Sequence, residues 1–246
     1  MKRVKLTIAY DGTNYCGWQI QPNAITVEEK INEALTDLLG EEIKVIGASR
    51  TDSGVHALGN VAIFDTETKI PAEKIAFALN QRLPEDIKIQ ESVQVEYDFH
   101  PRYANSEKTY EYRILNRRIP DPLERNYSHF LYGDIDIDKM RKAAAYIVGE
   151  HDFASFCSTG SQVQSTVRTV YQLDVDRQQD IISIKIRGKG FLYNMVRIIA
   201  GTLIQVGTNV IPPEYVREII EAKDRSIAGP TAPAKGLRLV KIEYKK

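Results

Sequence analysis

The chain has 246 residues, of which 43% are hydrophobic and 27% charged, and its 33 basic and 33 acidic side chains leave a formal net charge of zero at neutral pH. That is the composition of a globular protein with a real core, built as one large domain or as two halves of about 100 to 140 residues. Zero net charge argues against a protein that coats nucleic acid unselectively, and no uninterrupted apolar stretch reaches the ~20 residues that a membrane span needs.

The opening segment Met1-Lys2-Arg3-Val4-Lys5-Leu6 has no continuous apolar core and reads as a strand rather than a signal peptide. Val4, Leu6, Ile8 and Tyr10 alternate with Lys5, Thr7 and Ala9, which predicts a half-buried strand over residues 3 to 10. Thr26-Val27-Glu28-Glu29 is a capping box, followed by Val27, Ile31, Ala34, Leu35, Leu38 and Leu39 at helical spacing and closed by Gly40. Strands are expected over 43–47 and 59–65, a helix opened by Pro71 with Ile75, Ala76 and Leu79 on one face, and a strand over 86–96. Residues 108–116 alternate as a strand, and Ile137, Met140, Ala144 and Ile147 mark a helix ending near Gly149. Residues 167–176 and 180–188 read as a hairpin turning near Gln178 and Gln179. Residues 191–206 are apolar nearly all round, so that helix should be buried. Pro212 and Pro213 open a further helix to about Ala222, and residues 237–244 form a last strand. The order is α+β rather than a regular βαβα alternation. Pro101, Asn105 and Ser106 suggest a boundary near residue 105, dividing the chain into residues 1–105 and 106–246, and the small, polar stretch 158–166 reads as a loop.

Between two apolar runs lies Gly47-Ala48-Ser49-Arg50-Thr51-Asp52-Ser53-Gly54-Val55-His56-Ala57. Glycines near both ends permit turn conformations closed to other residues, so Asp52 is displayed on a tight loop with Arg50 two residues before it. A connection this rich in polar groups is a place for chemistry, although the same residue types also make an ordinary turn. Two further stretches mix cations with aromatic rings. Residues 181–197 hold Lys185, Arg187, Lys189 and Arg197 with Phe191 and Tyr193, and residues 100–118 hold Arg102, Lys108, Arg113, Arg117 and Arg118 with Tyr103, Tyr110 and Tyr112. Basic groups beside aromatic faces suit looped or single-stranded RNA, and equally suit a solvated strand face balanced by acids elsewhere. Cys16 and Cys157 have neither metal-ligand spacing nor the makings of a disulfide framework, and a reducing cytoplasm is the expected setting. No Gly-x-Gly-x-x-Gly fingerprint, phosphate-binding loop or His pair at ligand spacing occurs, so neither cofactor nor metal is expected.

The eleven residues from Gly47 to Ala57 resemble, without interruption, the catalytic loop of the tRNA pseudouridine synthase A family. The resemblance continues in Tyr10-Asp11-Gly12-Thr13-Asn14-Tyr15-Cys16-Gly17-Trp18-Gln19, with Cys16 where an apolar residue such as Phe is common. It continues again in Phe99-His100-Pro101-Arg102-Tyr103-Ala104, Lys108-Thr109-Tyr110-Glu111-Tyr112, Gly190-Phe191-Leu192-Tyr193-Asn194-Met195-Val196-Arg197 and Thr231-Ala232-Pro233-Ala234-Lys235-Gly236-Leu237. The resemblance implies a pseudouridine synthase fold, two similar α/β halves sharing a mostly antiparallel sheet with helices packed on one face. The first half would carry the catalytic Asp loop and the second would complete the site.

It also implies a tRNA-uridine isomerase acting at positions 38 to 40 of the anticodon arm, as a homodimer, with no DNA or membrane partner. The reaction breaks the N1–C1′ bond, turns the base and rejoins it through C5, consuming neither electrons nor water. By the same resemblance Asp52 is the catalytic carboxylate, attacking C1′, adding to C6 or removing the C2′ proton. Arg197 is its implied cationic partner, Tyr110 stacks on the target uracil, and Leu237 is an apolar wall against the base. Arg50 fills the space left by the flipped nucleotide or binds its phosphates, and Lys189 contacts the substrate. Tyr112 is expected in the core and His56 as a brace of the loop. Two rival readings are a non-catalytic RNA-binding module and a nucleoside or glycoside hydrolase. Lys189-Gly190-Phe191 opens like an RNA-recognition motif but departs at Leu192. Hydrolysis of that kind wants two acidic groups, and the Asp52 loop has one.

Overall fold

A computed structural model describes residues 1–160 and 164–245. The described residues form a mixed α+β, mostly antiparallel architecture in two compact units, Met1–Ser106 with Arg238–Lys246, and Glu107–Leu237.

In the first unit, strand β1 (Lys2–Tyr10) lies between β3 (His56–Thr66) and β4 (Ile87–Val95), antiparallel to both. Val4, Leu6, Ile8 and Tyr10 are buried while their neighbours in the strand are half-exposed, the period of two that the sequence carries. Helix α1 (Val27–Leu39) has its expected start: Thr26 Oγ1 accepts from Glu29 N and Glu29 Oε2 accepts from Thr26 N, each at 3.4 Å. It ends where Gly40 turns left-handed and donates its N–H to Thr36 O at 2.9 Å. Helix α2 (Ala72–Leu79) follows Pro71 and buries Ala72, Ile75, Ala76 and Leu79.

The strand expected over 43–47 is reduced to β2 (Ile46–Gly47), beside β3. The reason is that α1 side chains take the backbone donors before it. Ile43 N donates to Thr36 Oγ1 at 3.1 Å and Val45 N to Asn32 Oδ1 at 2.9 Å, so this segment hangs from the helix.

The second unit opens with β5 (Ser106–Asn116), whose residues from Glu107 on belong to it, with the short β6 (His129–Leu131) parallel to β5. Helix α3 (Ile137–Ile147) is capped by Asp136, whose side chain accepts from Lys139 N. Strand β7 (Gly149–Asp152) pairs with β8 (Val167–Gln178), which forms a hairpin with β9 (Ile181–Gly188). The turn runs through Gln179 at φ 53°, and β9 lies between β8 and β5. Of the loop expected at 158–166, residues 161–163 lie outside the described residues.

Helix α4 (Met195–Gly207) is buried over most of its circumference, as its apolar composition requires. Each fully buried Ile, Leu or Val there contributes roughly 1.5–3 kcal/mol of transfer free energy. It starts four positions later than the apolar run does, because Asn194 sits at φ 60°, outside the helical region. Helix α5 (Tyr215–Ala222) follows Pro212 and Pro213. The last strand, β10 (Leu237–Tyr244), pairs parallel with β3 through Arg238 opposite His56 and Leu239 opposite Ala57, both within the first unit.

Candidate active site

In the first unit, the loop that carries Asp52 emerges from β2 and runs into β3. Trp18 N donates to Thr51 O at 3.0 Å, and Val55 N donates to Asp52 O at 3.1 Å, closing the turn around the carboxylate residue. Asn60 Nδ2, fully buried on β3, donates to Ser49 O at 3.1 Å and to Tyr10 Oη at 3.3 Å. Since Asn60 supplies a proton to Tyr10 Oη, the phenol's own proton is available for Thr51 Oγ1, 2.7 Å away. The residues flanking Asp52 are therefore tied to the buried end of β1 and the middle of β3.

The opposite flank is equally crowded. A Cβ at Gly12 would stand 2.1 Å from Val55 O, and one at Gly17, where φ is +88°, would stand 2.6 Å from Thr51 O. Only hydrogen fits at either place, so the first loop of the chain lies directly against the Asp52 loop. His56 braces the exit: its Nδ1 lies 3.0 Å from Gly12 N and 3.0 Å from Asp11 Oδ1. The first contact needs an unprotonated Nδ1 and the second a protonated one, so the ring makes one or the other. Asp52 itself is half-buried, and Arg50 is exposed. The loop thus offers a carboxylate on a hydrogen-bonded turn with an exposed cation two residues before it.

In the second unit, Tyr110 is half-buried on β5 and meets the edge of Phe191 with ring centroids 5.4 Å apart and planes at 89°. Tyr112, two residues on, is fully buried, donates its hydroxyl to Pro233 O at 3.0 Å, and is the core residue expected. Burial pushes its phenol well above the ordinary range, opposed by the nearby charge of Arg197. Arg197, on the first turn of α4, donates Nε to Ala232 O at 2.8 Å and Nη1 to Asn194 Oδ1 at 2.8 Å. Ala232 N returns a bond to Arg197 O at 3.1 Å, so the backbone of the Thr231–Leu237 segment grips this arginine from both sides. Leu237 is buried at the end of that segment, and Lys189 is exposed just beyond β9.

The cations read as an RNA surface are not all available to a ligand. Arg187 pairs with Glu107 at 2.5 Å and lies over the Tyr171 ring, and Arg113 pairs with Glu124 at 3.1 Å. Sequence reasoning passed over Tyr10, Asn60 and Gly12 as braces of the loop, and Asn194 as a neighbour of Arg197. Tyr10, Gly12 and Asn194 lie inside motifs that carry the family resemblance, but nothing local marks which of those residues reach the loop or Arg197. Among the described residues no cluster of three or more His, Cys, Asp or Glu could hold a metal ion, and no helix is long and apolar enough to cross a membrane.

The tRNA pseudouridine synthase family matches residues 6–104 and 143–245 of the chain. A protein of Thermoanaerobacter sp. named tRNA pseudouridine synthase A is 51% identical over 244 residues, covering 99% of this chain and 100% of its own length. Proteins of the same name from Clostridium acetobutylicum and Ruminiclostridium cellulolyticum are 50% and 51% identical, each with 99% of this chain and 100% of its own length covered. Among solved structures, a chain of the archaeal box H/ACA sRNP Nop10-Cbf5 complex aligns with 98% of this chain and 47% of its own, at TM-score 0.35 and 10% identity.

Proposed function

The chain belongs to the tRNA pseudouridine synthase family, a family of isomerases, and from that membership we propose that it converts uridine to pseudouridine at positions 38 to 40 of the tRNA anticodon arm with Asp52 as the reacting carboxylate. The observation that carries this reading is the extent of the relationship, 51% identity over 99% of the chain. The immobilised turn around Asp52 supports it, because a group that must meet one carbon of a turning base gains from being held rigidly. Tyr110 is assigned to stacking on the extruded uracil and Leu237 to the apolar wall of its pocket. Arg197 is assigned as the source of positive charge that keeps the reacting carboxylate ionised, which burial alone would oppose. Arg50 occupies the gap left by the flipped nucleotide or its phosphates, and Lys189 contacts the backbone of the RNA. A homodimer in the cytoplasm, with tRNA as partner, completes the reading.

The test uses unmodified tRNA carrying uridine tritiated at C5, since replacing C5–H by C5–C1′ frees that hydrogen to water. Wild type is expected to release tritium and Asp52→Asn to release none while still binding tRNA. Substrates with a single uridine at 38, 39 or 40 read the position. Release that survives in Asp52→Asn removes Asp52 from its role, and release from uridines outside the anticodon arm removes the positional reading.

A further inference from the structure

Arg197 is the only cation on α4, and what holds it in place is unusual. Asn194 stands immediately before the helix with φ 60° and ψ 6°, a left-handed conformation that Gly adopts freely and Asn tolerates. As a helix cap it is unproductive: its side chain makes no hydrogen bond to the first-turn backbone. Both ends of its amide are spent elsewhere. Oδ1 accepts from Arg197 Nη1 at 2.8 Å, and Nδ2 donates to Ser158 Oγ at 2.9 Å. The orientation is forced by chemistry. A guanidinium has no acceptor, so the amide oxygen must face Arg197 and the NH2 must face the serine hydroxyl. Ser158 is itself placed by its backbone, whose N–H donates to Tyr193 O at 3.1 Å, directly before Asn194.

With the Asn194 side chain in this position the guanidinium is restrained at two of its nitrogens. Asn194 Oδ1 accepts from one terminal nitrogen while Ala232 O accepts from Nε, which fixes the plane of the group as well as its position. Because the amide is anchored at its far end to Ser158, it cannot swing away with the arginine. We propose that Asn194 is a positioning residue for Arg197, setting the orientation of the guanidinium through Oδ1 with Ser158 as its anchor. The left-handed backbone at 194 is what brings the side chain between the two partners instead of onto the helix N-terminus. The inference rests on the reading that Arg197 acts in the isomerisation.

The decisive variant is Asn194→Gly. Glycine adopts the left-handed backbone without strain while removing the amide, so a loss of function cannot be assigned to backbone strain at the helix start. Tritium release is measured at saturating and limiting tRNA for wild type, Asn194→Gly, Ser158→Ala, Arg197→Lys and the double variant Asn194→Gly/Arg197→Lys. Asn194→Gly is expected to lower kcat about tenfold or more with KM changed less than about twofold, as for loss of orientation without loss of binding. Ser158→Ala is expected to lower kcat in the same sense by a smaller factor. In the Arg197→Lys background, where the Nη1 donor is already gone, Asn194→Gly is expected to cost less than about a further twofold. Full kcat in Asn194→Gly, or losses that multiply in the double variant, overturn the inference. Full kcat in Arg197→Lys would instead overturn the role given to Arg197, an outcome read from a variant that leaves Asn194 untouched.

Discussion

Replacing Tyr10 by Phe removes one oxygen from the end of β1 and leaves the ring's packing against Trp18, 6.0 Å between centroids, in place. That oxygen accepts from Asn60 Nδ2 and is hydrogen-bonded to Thr51 Oγ1 at 2.7 Å, and all three residues are buried. Asn60 retains Ser49 O as a second acceptor, so the group left stranded is the Thr51 hydroxyl. Losing one buried hydrogen bond costs about 1 kcal/mol net, and stranding a buried hydroxyl raises the total to about 1–3 kcal/mol. At about 2–4 °C per kcal/mol for a chain of this size, the midpoint of thermal unfolding should fall by roughly 2–12 °C. Because Thr51 precedes Asp52, the release of its side chain also loosens the turn that holds the carboxylate, and kcat for tritium release should fall about tenfold with KM nearly constant. Circular dichroism melts and initial-rate measurements on the same preparation read both effects. A variant with the wild-type melting midpoint and wild-type kcat would refute the reasoning that Tyr10 and Asn60 support the loop.

Gly12→Ala should be far more damaging than Gly190→Ala, because the new Cβ meets Val55 O at 2.1 Å in the first case and nothing within 4 Å in the second; equal activity and equal melting midpoints would contradict this. Arg50→Ala, at an exposed position, should leave stability within about 0.5 kcal/mol of wild type while raising KM for tRNA and flattening its salt dependence; an unchanged KM at several salt concentrations would remove Arg50 from the RNA contact. His129 is held below its ordinary pKa by burial and, secondarily, by the charge of Lys235, and its Nδ1 is buried without a hydrogen-bond partner. The unfolded chain therefore takes up this proton first as pH falls below about 6.5, and stability drops from there until the folded-state pKa is passed. In His129→Phe, melts at several pH values between about 7.5 and 5 should show a shallower loss than wild type; identical profiles would show that His129 contributes none of it.

What the sequence determined by itself is what depends on neighbours a few residues apart. The capping box at Thr26 and the left-handed Gly40 set α1, the alternation from Val4 to Tyr10 set the buried face of β1, and the apolar run after Phe191 set a buried α4. The contiguous motif around Asp52 likewise marked the loop where the functional reading centres, because its side chains sit next to one another in the chain. Other features depended on partners distant in sequence and were settled only by the fold. The strand expected over 43–47 shrank to Ile46–Gly47 because Thr36 and Asn32, on the helix before it, satisfy its backbone donors. Strands β6 and β7 carry no period long enough to read and exist because β5 and β8 offer them an edge. The last strand joins β3 as a parallel neighbour, a pairing between residues 238–239 and 56–57 that no local pattern encodes. The braces of the Asp52 loop come from Tyr10, Gly12 and Asn60, and the orientation of Arg197 from Asn194, Ser158 and Ala232. Hydrogen-bond partners of this kind are chosen by proximity in space. A sequence names the groups that need partners, and only the closed chain shows which of them meet.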